Sequence, residues 1–169
     1  QNLLVQAHIT QPSELRRASW ALDGLGALSH HMARLTIAAL GITDDEIDWR
    51  VLGPPPQRIE QLISGEIDVS LIRVEEAMSL SRSHEGKLHT LLAFADLKQL
   101  VPLQPHGVLA TTEAYEADNA EALARLARGM IKASRLLHDD YSTFRQVYES
   151  YVTVPLPNQD IELIWQREH

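Results

Sequence analysis

The chain has 169 residues, 44% of them hydrophobic, and a formal net charge of -8 at pH 7. It is long enough to bury a core, and its acidity argues against nucleic acid or an anionic membrane surface as its main partner, since both repel it at long range. With no cysteine it has no disulfide framework, no thiolate nucleophile and no cysteine-bound zinc or iron–sulfur centre.

Apolar runs of strand length alternate with segments of helical period. Strands are predicted at Leu3–Ala7, Ser19–Leu22, Trp49–Leu52, Val69–Ile72, Leu88–Phe94 and Gly107–Thr111. Between the second and third, Ser29 to Leu40 reads as a helix with Met32, Leu35 and Ala39 on one face and Gly41 placed to end it. Pro54 to Pro56 give a rigid entry to the next helix, with Ile59, Leu62 and Ile63 inward and Gly65 as the stop. Repeated strand–helix alternation predicts an α/β fold, a mostly parallel mixed sheet flanked by helices.

After Thr111 the pattern becomes helical. Asp118 with Glu121 reads as a capping box for a long helix whose Leu123, Leu126, Ala127, Met130, Ser134 and Leu137 form a stripe. Ser142 is placed to cap a second helix, with Phe144, Val147, Tyr148 and Tyr151 at three-four spacing. "VPLPNQ" then breaks the chain before a last apolar stretch, Ile161 to Trp165. No run approaches the roughly 20 apolar residues that span a bilayer, and no basic-then-apolar leader opens the sequence. The chain opens on Gln1 rather than methionine, which fits a mature secreted product or a fragment.

The first strand–helix connection, "DGLGALSHH", admits three readings. It comes close to a dinucleotide fingerprint, but Ser29 stands where the third glycine belongs, Asp23 puts a carboxylate where a pyrophosphate would sit, and Gly53 ends the next strand in place of the ribose-binding acid. Gly24 and Gly26 also suit a plain tight turn. The third reading is a small-anion site, built from the N–H groups of Leu28 to His31 and the Ser29 hydroxyl at the positive end of a helix. Neighbouring connections favour this last reading. Loops at the carboxyl ends of parallel strands lie side by side, and those after the third and fourth strands bring Gln57 and Arg58, then Arg73 and Glu76.

The stretch from "ITQPSELRRASWALDGLG" through "LGPPPQRIEQLISGEIDVSLI", with "PHGVLATTEAYEADNAEALARLARGMIKASRLLHDD" further on, resembles the second lobe of type 2 periplasmic solute-binding proteins, in the family that serves sulfonate, nitrate, taurine and thiamine-precursor ABC transporters. The resemblance implies a binding lobe that does no chemistry, uses no cofactor or metal, and passes a small, anionic or heteroaromatic organic ligand to a transporter permease from the periplasm or outside the cell. It implies that the first strand is an entry strand antiparallel to its neighbours. Carried over by position, ligand contacts would come from Gly26, Leu28, Ser29 and His30, from Gln57 and Arg58, and from Arg73 and Glu76. The bulky Leu25 and Leu28 replace the family's small polar residues in the first loop, so the ligand class does not transfer. The resemblance also places residues 1–105 in the binding lobe and residues 106–169 in a return strand and helices that would pack on a first lobe. That lobe would precede Gln1, and either a longer parent protein or a second copy of the chain is expected to cover the helical stripe.

Two other functions share this architecture. An effector-binding half of a transcription regulator would add a helix-turn-helix segment upstream. Pyrimidine-precursor synthases of the same broad family combine a histidine-rich pocket with a cysteine-containing iron motif, whereas this chain has eight histidines and no cysteine. The histidines do not make a metal site by spacing. His30 and His31 diverge on a helix, and His84 and His89 lack a third partner.

Overall fold

Five strands, β1 (Asn2–Gln6), β2 (Ser19–Leu22), β3 (Asp48–Val51), β4 (Val69–Ile72) and β5 (Leu88–Leu92), form one sheet in the order β3-β2-β4-β1-β5. They are seen in a computed structural model that describes residues 1–101 and 108–167. Helices connect β2 to β3 and β3 to β4, and β2 accordingly pairs in parallel with both. β1 runs antiparallel to β4 and β5, so β5 points the same way as β2, β3 and β4.

Each face of the sheet has its own core, because side chains alternate along a strand. On one face Leu3, Val5, Trp20, Leu22, Val69 and Leu71 pack with Ala33 and Ile37 of α1 (Leu28–Ala39) and Leu97 of α4 (Phe94–Leu100). On the other, Leu4, Ala21, Ile72 and Leu88 meet Leu62 of α2 (Pro55–Ser64) and Ala77 of α3 (Val74–Ser83). Burying a side chain of this size stabilises by about 1.5–3 kcal/mol. Leu3, Leu4, Trp20 and Leu62 lie at 0% exposure.

Several expected boundaries shift. The buried face of α1 is Ser29, Ala33, Thr36 and Ile37; Met32 and Leu35 are half-buried and Ala39 is exposed. Counting apolar residues alone rotates the face, because Thr36 turns its hydroxyl onto the Met32 carbonyl at 2.8 Å and buries its methyl. β3 begins one residue earlier than predicted, at Asp48. β5 stops at Leu92, and Phe94 opens a helix instead of ending a strand. Two side chains hold that start: Asn2 Oδ1 accepts the Phe94 N–H at 2.8 Å, and Asp96 Oδ2 accepts that of Ala93 at 2.8 Å.

The chain divides into two compact units, Gln1–Leu103 and Gln104–His169. In the second, α5 (Glu113–Asp139) packs on α6 (Tyr141–Tyr151), and α6 on α7 (Asn158–Arg167). Gly107 of the expected return strand lies outside the described residues, and Val108 to Thr111 form no strand. α5 starts at Glu113 with Thr112 Oγ1 accepting the Tyr115 N–H at 3.2 Å, ahead of the expected capping box. Its helical geometry is interrupted at Asn119, whose side-chain amide donates to the Tyr115 carbonyl at 3.0 Å and so replaces a helical bond. Asp140, not Ser142, caps α6, accepting from the Ser142 N–H at 2.9 Å and the Thr143 hydroxyl at 2.6 Å. Trp165 ties α7 to α5 through Nε1 donating to the Leu137 carbonyl at 3.0 Å. Among the described residues no helix is long and apolar enough to cross a membrane.

Candidate functional site

Because β2, β3, β4 and β5 point one way, α1, α2, α3 and α4 all start at one edge of the sheet. The chain goes from β2 outward to β3 and then back to β4 on the other side of β2, so the crevice between β2 and β4 is where the winding reverses. In open α/β sheets ligands bind at such a point, outside the carboxyl ends of the strands. Three connections border it, and the fourth helix start, at Phe94, stands on the same edge without a sequence signal that singled it out.

The first connection is tightly folded on itself. The Ser29 hydroxyl donates to Asp23 Oδ1 and accepts the Asp23 N–H at 3.3 Å. The Gly26 N–H donates to His30 Nδ1 at 2.8 Å, and the Ala27 N–H to the Gly24 carbonyl at 3.2 Å. His30 Nδ1 is therefore the acceptor nitrogen and Nε2 carries the proton. The ring stands edge-on to Trp49 of β3, centroids 5.2 Å apart. Gly26 has φ +79 with open space where a Cβ would point, so its role is conformational. The first helical N–H groups, on Leu28, Ser29 and His30, have no intrahelical acceptor by construction. Leu28 itself is 38% exposed and Leu25 69%, which gives the loop an apolar outer surface.

The second connection separates its two candidate residues. Gln57 is exposed, whereas Arg58 is 5% exposed and lies inside the molecule. Arg58 Nη1 donates to Ser70 Oγ at 3.3 Å and to the Leu71 carbonyl at 3.2 Å, both on β4. Burial pushes the guanidinium below its ordinary pKa, and the negative charges of Asp23 and Glu76 oppose that shift. Arg58 remains a cation, as arginine does in proteins. In the third connection Arg73 is exposed at the N-cap position of α3, and Glu76 is half-buried in the first turn. Among the described residues, none makes a hydrogen bond to three buried atoms on this edge, Arg58 Nε, Glu76 Oε2 and His30 Nε2.

The eight candidate residues thus fall on one edge but do not share one environment. Gly26, Leu28, Gln57 and Arg73 face solvent; Ser29 and Arg58 are buried and His30 and Glu76 half-buried. Reading the sequence missed the role of Asp23 as the acceptor for Ser29, and of Ser70 and Leu71 as acceptors for Arg58. A signal was available for Ser70, a hydroxyl in the fully buried strand "VSLI", because a polar side chain in such a place needs a partner. Among the described residues no group of three or more His, Cys, Asp or Glu is placed to hold a metal ion. No family model matches the chain, and no curated protein matches it.

Proposed function

We propose that the chain supplies the ligand-binding lobe of a solute-binding component of an ABC-type uptake system, working in the periplasm or outside the cell. It receives a small anionic or heteroaromatic organic ligand, does no chemistry on it, and delivers it to a membrane permease. One observation carries this reading. Three strand–helix connections border the crevice where the sheet reverses its winding, and they bring to that edge the backbone donors that open α1 and the exposed cation of Arg73. The entry strand antiparallel between β4 and β5 supports it as well, being the arrangement implied by the family that the sequence resembles. The Leu25 and Leu28 side chains add an apolar wall suited to the organic part of a ligand.

Native mass spectrometry of the purified protein tests the reading, since a binding lobe retains its ligand through gentle desolvation. A bound small organic species, released on raising the collision energy, is the expected result. Bare protein throughout, together with no heat from sulfonates, carboxylates or aminopyrimidines in titration calorimetry, would contradict it.

A further inference from the structure

His30 makes two contacts at the start of α1. Its Nδ1 accepts the Gly26 N–H at 2.8 Å, and its ring packs edge-on against Trp49 of β3, centroids 5.2 Å apart. α1 begins at Leu28 with Ala27 as N-cap, so His30 is the third helical residue and Gly26 precedes the cap. A side chain at that third position turning back to a backbone N–H repeats the logic of a capping box, in which glutamate or glutamine is the usual acceptor. Here the acceptor is imidazole. It accepts only while Nδ1 is unprotonated, and imidazole ordinarily changes charge between about pH 5 and 8.

We infer that His30 is a positioning residue, a proton-sensitive brace that holds the "GLGALS" loop closed on the start of α1 while its ring is neutral and releases it when the ring is protonated. Two costs act together on protonation. Nδ1 becomes a donor facing the Gly26 N–H, and the ring brings a positive charge to the positive end of the helix. Charged neighbours are engaged elsewhere. In the loop, Asp23 Oδ1 is taken by the Ser29 hydroxyl. On α1, His31 is exposed and Arg34 pairs with Asp44 at 2.9 Å. On β3, Asp48 and Arg50 pair with each other at 2.6 Å on the strand face opposite to that of Trp49, and β2 carries no charge. On α4, which packs against α1, Asp96 serves the Ala93 N–H and Lys98 is exposed. The Trp49 contact is one that either form of the ring makes, so protonation removes the acceptor and keeps the packing. Gly26 can then move, since nothing lies within 4 Å of the place a Cβ would take. The consequence for function rests on the reading of the edge as a ligand site: pH then sets how firmly the frame of its α1 donors is held.

The test needs no ligand. Long-range proton–nitrogen NMR correlation reads the two nitrogens of the His30 ring. At about pH 8 the proton is expected on Nε2, and the Gly26 amide is expected to titrate together with the ring as the pH falls to about 5.5, above the range in which carboxylates ordinarily titrate. Amide protection factors, which remove the intrinsic pH dependence of exchange, are expected to drop roughly fivefold or more for residues 26–31 over the same interval, the effect of one hydrogen bond, while those of β1 and β4 hold. His30→Gln offers an acceptor at every pH and is expected to keep the loop protected with a flat profile. His30→Phe keeps a ring against Trp49 without the acceptor and is expected to show the acid level of protection throughout. The other histidines still titrate in both variants, so a flat profile assigns the effect to His30. A proton on Nδ1 at the alkaline end, a Gly26 amide that ignores the ring's titration, or a pH dependence that persists in His30→Gln would overturn the inference. Should the phenylalanine variant fail to fold, the natural chain and the glutamine variant still decide. Because no arm involves a ligand, a failure here leaves the binding reading standing, and an absence of ligand leaves this result readable.

Discussion

Single side chains on this edge divide into those that hold the loops and those that face out of them. Gly53 belongs to the first kind. It lies in the connection after β3 with φ +83, and a Cβ there would stand 2.9 Å from Gln57 Oε1. Gly53→Ala should therefore cost about 1–2 kcal/mol, the range for forcing a residue with a Cβ into the left-handed region, read as a lower denaturant midpoint at unchanged slope. A midpoint equal to that of the natural chain would show that the connection relaxes. Ser29 acts on the other side of the crevice. Removing its hydroxyl takes a donor from Asp23, an exposed carboxylate that water can serve instead, so Ser29→Ala should destabilise by only about 0.5–1.5 kcal/mol, the net worth of an ordinary hydrogen bond, with α1 amides losing protection first in hydrogen exchange.

At the scale of elements, two short 3-10 turns, Pro12–Leu15 and Asp44–Glu46, owe their shape to a carboxylate three residues into each turn. Backbone N–H donation, from Thr10 to Glu14 and from Thr43 to Glu46, holds both carboxyls below their ordinary pKa. In the unfolded chain they return to the ordinary value, so their stabilisation is present above the usual carboxylate range and is lost as pH falls through the lowered folded values. Glu14→Gln with Glu46→Gln should flatten the acid limb of the stability curve, and an unchanged limb in urea unfolding between pH 5 and pH 3, about the range of carboxylate titration, would contradict this. The strands were the most legible elements: β2 and β4 stand where their apolar runs stand, because a run buried on both faces has no alternative use. The connections were less so. α4 hides behind an apolar approach that continues β5 into Phe94, and the strand's end is marked by the nearby Asp96 together with Asn2, 92 residues away in sequence. Arg58 was visible as a candidate, but its burial depends on Ser70 and Leu71 of another element, which no local pattern reports.

For the molecule as a whole, the long helix poses a question of cover. Leu126, Met130, Ile131 and Leu136 of α5 are each about half exposed, at 51%, 47%, 53% and 52%. Apolar area left in water forfeits roughly 25 cal/mol per Å², so the 169-residue chain is expected to self-associate at micromolar concentration in sedimentation velocity; a clean monomer that binds no apolar dye would contradict this. The binding account itself turns on Arg73, the exposed cation that borders the crevice from α3 without taking part in the buried network. The decisive measurement is titration calorimetry of the full-length gene product and its Arg73→Ala variant against small sulfonates, carboxylates and aminopyrimidines. The account predicts binding of one class, weakened in the variant by roughly 1.5–3 kcal/mol, the scale of a hydrogen bond to a charged group, with the unfolding midpoint unchanged. Equal affinity in the two proteins would contradict it and leave the crevice a junction of loops.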